Sequence, residues 1–179
     1  SVMADQALTP VDVQKVLKLL LEEQVPIRNL QLILETLADY GRETKEAIEL
    51  ANAVRQTLRR EIINRFLTEN GNLAVVMLSP SLQQTLNQAI QANEGVNPTI
   101  IRQMLENLSQ QIQAASNRGI RPVVLVCPAT IRYQVRNWIA ASLPSLPVIA
   151  YEEMSPNVDW ETIGIVELTT DESGIPEQS

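Results

Sequence analysis

Two short runs without a polar residue constrain the fold of this chain more than any other feature: Leu73-Ala74-Val75-Val76-Met77-Leu78 and Val123-Val124-Leu125-Val126. Each is too short for a buried helix, rich in valine, and closed by a proline two positions on (Pro80, Pro128). Runs of this kind are strands buried on both faces, and such strands belong to parallel sheets covered by helices. Val148-Ile149-Ala150-Tyr151 reads as a third strand and Ile163-Gly164-Ile165-Val166 as a fourth. Helical periodicity fills the gaps. Leu82, Leu86 and Ile90 mark one helix, and Asn97-Pro98, a cap followed by proline, opens another that carries Ile100, Met104, Leu108 and Ile112 and stops at Arg118-Gly119. Ile131, Val135, Trp138 and Ile139 mark a third. The order strand-helix-helix-strand-helix-strand predicts a small α/β lobe with a short, largely parallel sheet.

The first seventy residues read differently, with helical spacing almost throughout. Thr9 is a good N-cap, Pro10 suits the first helical position, and Val13, Val16, Leu17, Leu20 and Leu21 give a helix over about 10–23. Pro26 breaks it. Ile27, Leu30, Ile33, Leu34 and Leu37 form the stripe of a second helix, with Gly41 as its C′ residue. Ile48, Ala51, Val54, Leu58, Ile62 and Phe66 predict one long third helix from about Thr44 to Leu67. The chain is thus α+β or α/β: a three-helix lobe over 9–71 and an α/β lobe over 72–168, divided at Asn70-Gly71-Asn72. Residues 1–8 read as an unstructured lead or a cloning remnant. Residues 169–179 are too polar to bury anything and read as a disordered tail.

Composition removes most chemistry. Without histidine there is no imidazole base, Ser-His-Asp triad or imidazole metal ligand, and one cysteine excludes an intrachain disulfide or a thiolate zinc site. No cofactor is expected: neither a glycine-rich dinucleotide pattern nor a Walker motif occurs. Cys127 ends a strand just before a helix, but no histidine is there to activate it, so it reads as a small core residue. Glu152 and Glu153 are adjacent and diverge, which does not suit paired acid/base work. No apolar run approaches the 18 residues of a membrane span.

Two short helices and a longer one also suggest a helix-turn-helix regulator with an α/β effector lobe, in which Arg55, Arg59, Arg60 and Arg65 would touch DNA. The formal charge of −7, and Glu49 and Glu61 among those arginines, favour a solvated helix laced with ion pairs. Neither nucleic acid nor metal is expected as a partner.

Four ordered segments carry a family resemblance. Val13 to Val16-Leu17 and Leu20 to Val25-Pro26-Ile27-Arg28 run on into Ile33-Leu34-Glu35-Thr36-Leu37-Ala38-Asp39. Val54-Arg55 follows with Leu58-Arg59-Arg60-Glu61-Ile62, then Arg121-Pro122-Val123 to Cys127-Pro128 with Ile131-Arg132, then Val148 to Tyr151-Glu152-Glu153. Over roughly residues 8–168 the chain resembles the FlhA/SctV family of bacterial flagellar and virulence type III export gates. The resemblance implies a non-enzymatic module from the last two subdomains of the cytoplasmic region. Other copies of the same protein would be its partners, in a ring usually of nine, together with export-apparatus proteins, chaperones and secreted substrates. It implies the cytoplasmic face of the inner membrane, with membrane contact only through a region outside this chain. Val25, Ile27, Arg28, Glu35, Asp39, Arg55, Pro122, Pro128, Arg132 and Glu153 are the motif or interface candidates. Arg28 and Glu35, seven apart, are expected on one helix face, either meeting a neighbouring copy or forming an internal ion pair with Arg55 or Arg59.

Overall fold

The computed structural model describes residues 7–168. The expectations for residues 1–6 and 169–179 lie outside them. The chain forms two compact units, one ending at Arg65 and the other starting at Phe66.

In the first unit, α1 (Pro10–Glu22), α2 (Leu30–Tyr40), α3 (Ala47–Thr57) and α4 (Arg59–Asn64) follow in order, with α1 and α2 both packed on α3. Thr9 and Asp12 form a reciprocal capping box at the start of α1. The bonds from Thr9 hold the Asp12 carboxyl below its ordinary value. The buried stripes recur every four residues: Val16 and Leu20, Ile33 and Leu37, Leu50, Val54, Leu58 and Ile62.

Four expectations are corrected here. The third helix is two helices, because Leu58 leaves helical geometry (φ −92°, ψ 10°). Thr57 returns its hydroxyl to the Ala53 carbonyl at 3.1 Å, a back-bond that weakens a helix at that turn. Ile27 precedes α2, which starts after Asn29 has capped it through the Leu32 N–H at 3.3 Å. Gly41 is not left-handed but right-handed (φ −64°). Glycine is needed there for room, since a Cβ would lie 2.6 Å from the Leu37 carbonyl oxygen and from the side chain of Leu8. Leu8 therefore packs on the unit instead of belonging to an unstructured lead.

The second unit begins six residues before the expected boundary. A turn in which the Thr68 N–H reaches the Asn72 carbonyl at 2.8 Å leads into the first strand, and Gly71 takes the left-handed conformation within it (φ 78°). Its elements are β1 (Leu73–Leu78), α5 (Pro80–Gln91), α6 (Pro98–Asn117), β2 (Val123–Cys127), α7 (Ala129–Ala140), β3 (Val148–Ala150), a 3-10 turn (Tyr151–Glu153) and β4 (Trp160–Val166). Tyr151 thus lies just past the third strand, and the fourth starts three residues earlier than its apolar run. The sheet order is β3-β2-β1-β4 and every pairing is parallel. Ala74, Val76, Leu78, Val123, Leu125, Cys127 and Val148 form one face, packed with Leu82, Leu86, Met104, Leu108, Ile131, Val135 and Ile139 from the three helices. Val75, Val124, Val126 and Ile149 alternate with them and are also buried, as strands without polar residues require.

Candidate functional site

In the first unit the motif between the first two helices is a buttressed turn. Gln24 is left-handed (φ 59°), the Val25 N–H returns to the Leu20 carbonyl at 2.9 Å, and Arg65 donates to the Gln24 carbonyl. Val25 is buried, Ile27 half-buried, and Arg28, Glu35 and Asp39 are exposed. The expected pairing of Glu35 is corrected. Glu35 accepts from Gln31 on its own helix at 3.1 Å, while the buried Arg55 sits 3.9 Å from Glu23. Arg28 precedes α2 and so shares no helix face with Glu35. Nothing in the sequence pointed to Glu23, because it lies 32 positions from its partner.

What this unit offers is an apolar surface. Leu30 and Leu34, one turn apart on α2, are 44 % and 43 % exposed. Leu34 also lines a cavity of about 620 Å³, together with Leu8, Val13, Leu37, Gly41 and Arg42, among others. The lining is apolar apart from Arg42.

The second unit gathers its motif residues where the strands end. Arg132, on α7, is fully buried; it donates to the Val148 carbonyl at 3.1 Å and lies 3.8 Å from the buried Glu153. Glu152 turns the other way and accepts the Ala129 N–H at 3.1 and 3.3 Å, placing a carboxylate on the positive end of α7. Pro128 stands at that helix start, half-buried, as does Pro122 ahead of β2. The pair Arg132–Glu153 ties α7 to the turn that follows β3.

Cys127 is buried beside this pair, and burial pushes its thiol up to about 12. It is therefore protonated at neutral pH and a poor nucleophile. A maleimide at pH 7 is expected to leave the folded chain unmodified and to label it fully in denaturant; rapid labelling without denaturant would contradict the burial. The raised value also works against the fold in alkali: the stability is intact below about pH 9, the thiol's ordinary value, and falls as pH rises toward 12.

Among the described residues no three His, Cys, Asp or Glu come together to hold a metal, and no helix is long and apolar enough to cross a membrane.

Comparison with known proteins places this arrangement. The FHIPEP family matches residues 2–159. The flagellar biosynthesis protein FlhA of Bacillus subtilis is 35% identical over 162 residues, which is 88% of this chain and 24% of that protein. FlhA of Proteus mirabilis is 38% identical over 145 residues, 79% of this chain and 20% of its own length. The chain thus spans about a quarter of these relatives. Among solved structures, the Shigella flexneri MxiA protein superposes with TM-score 0.75 at 28% identity, over 87% of this chain and 50% of that one. Nonameric EPEC SctV-C does so with TM-score 0.74 at 26% identity, over 87% and 48%. A match running through both units, in sequence and in three dimensions, makes this chain a member of the FHIPEP family, the group that its FlhA/SctV-like segments indicated.

Proposed function

We propose that the chain is a cytoplasmic assembly and docking module of a bacterial type III protein export gate, without enzymatic activity of its own. It acts at the inner face of the inner membrane by contacts with further copies of itself, with export-apparatus proteins and with chaperone-bound cargo. The observation that carries this reading is the likeness of both units to SctV-C, which is nonameric. The EscV cytosolic domain, also nonameric, is 27% identical with TM-score 0.70. The higher identities to FlhA favour the flagellar branch. Leu30 and Leu34 then contribute to the apolar centre of a contact that buries about 800 Å² on each copy.

Replacing both Leu30 and Leu34 by Asp in the full-length protein is expected to lower export at least tenfold. The same double change in the 179-residue chain is expected to leave its helical circular dichroism unaltered, since neither side chain belongs to the buried core. Normal export by the variant would overturn this assignment.

A further inference from the structure

The outer side of β4 is a sheet edge with one half closed and one half open. Its inner side is set by β1: the Leu73 N–H donates to the Asp159 carbonyl at 3.0 Å and the Ser79 N–H to that of Val166 at 2.9 Å. Successive residues of a parallel strand point their main-chain groups to opposite sides. The N–H and C=O of Trp160, Thr162 and Ile165 therefore point away from β1. At Ile165 the edge is closed. Gln111 of α6 donates to the Ile165 carbonyl at 2.9 Å, and Asn107 reaches the Glu167 carbonyl at 3.4 Å. Gly164 makes this cover possible, because a Cβ there would lie 1.6 Å from the Gln111 oxygen. Among the described residues no side chain covers the outward groups of Trp160 and Thr162.

The strand as a whole has two further properties. Trp160, Thr162 and Ile165 stand opposite Leu73, Val75 and Met77, so they share one sheet face, and Trp160 and Ile165 are 48 % and 50 % exposed. An added strand would lay its own side chains along that stripe. Asp159 and Glu161 are exposed at the open half, while Arg118, seven residues past Gln111, lines a hollow with Ile163 and Gly164. Pairing with β4 of a second copy at this half would bring four carboxylates together, which disfavours a homotypic edge.

We propose that the open edge of β4 at Trp160 and Thr162 is a docking site for an extended, Lys/Arg-bearing peptide segment of another protein, added as a fifth strand. Main-chain bonds supply the affinity, and Glu161 and its neighbours select the charge. The site is short, so single-segment binding is weak. It stands whether or not the export-gate reading does.

The probe is a synthetic peptide alternating Val or Thr with Lys, compared with the same peptide carrying Glu for Lys. With the unmodified 179-residue chain, saturating Lys peptide is expected to slow amide exchange at Trp160 and Thr162 at least tenfold. The Glu peptide is expected to bind at least tenfold more weakly. Thr162→Pro removes only an outward N–H, which an edge strand tolerates, and is expected to weaken binding at least tenfold. Unchanged exchange at both amides in the unmodified chain overturns the proposal, whatever the variant does. So does equal binding by a folded Thr162→Pro variant. Protection that rises with protein concentration alone also overturns it, by placing a second copy on the edge.

Discussion

Replacing Arg132 by Ala is expected to lower the stability of the second unit by about 3–5 kcal/mol, the cost of leaving one member of a buried ion pair uncompensated. The argument rests on burial rather than on attraction. Arg132 is 2 % and Glu153 1 % exposed, so the carboxylate left behind has no water to turn to, and the Val148 carbonyl loses its donor as well. Changing both residues together separates these effects. Arg132→Met with Glu153→Leu removes both charges and fills the space with apolar atoms, and is expected to recover most of the loss. Arg132→Lys is expected to recover little, because one ammonium cannot serve both the Glu153 carboxylate and the Val148 carbonyl from the same stem. Urea unfolding followed by tryptophan emission measures this directly, since Trp138 and Trp160, the two tryptophans of the chain, are both in the second unit. A loss under about 1 kcal/mol for Arg132→Ala would mean that the pair is not desolvated as the geometry has it.

Leu125→Ala should cost about 2–5 kcal/mol. Leu125 sits on β2, which is paired on both sides, and its side chain is buried in the cluster between the sheet and the three helices. A strand bonded to two neighbours cannot shift to fill the space, so the truncation leaves a cavity rather than a rearrangement. Ile165→Ala removes the same number of carbons from an exposed position on the edge strand and should change stability by no more than about 0.5 kcal/mol. Equal losses at the two sites, by the same urea measurement, would contradict the assigned burial.

Much of this architecture was legible in the residues. Runs such as Leu73–Leu78 carry their environment openly, because only a strand covered on both sides can be apolar at every position. Helix starts were equally plain where a capping residue precedes proline, as at Thr9-Pro10 and Asn97-Pro98. What stayed hidden depends on partners distant in the chain. An ion pair with Arg55 or Arg59 was expected of Glu35, yet Glu23 sits beside Arg55, since the turn at Gln24 brings the end of α1 to α3. The break at Leu58 was invisible because the apolar period runs through it unchanged. Gly164 looked like an ordinary strand glycine until Gln111, 53 positions away, proved to occupy the space where its side chain would be. Arg132 and Glu153 stood out only through the family resemblance. Charged residues gave no local sign that they would be among the most buried in the chain.

The neighbourhood of β1 and β4 has a mechanical consequence. The two strands lie side by side and run in the same direction, paired from Leu73 with Trp160 to Leu78 with Val166. A pull between the beginning of β1 and the end of β4 therefore drags them past one another lengthwise. All the cross-links of the ladder share that load at once, whereas a hairpin pulled by its two ends opens one link at a time. Tension passed along the backbone through this unit meets a clamp rather than a zipper.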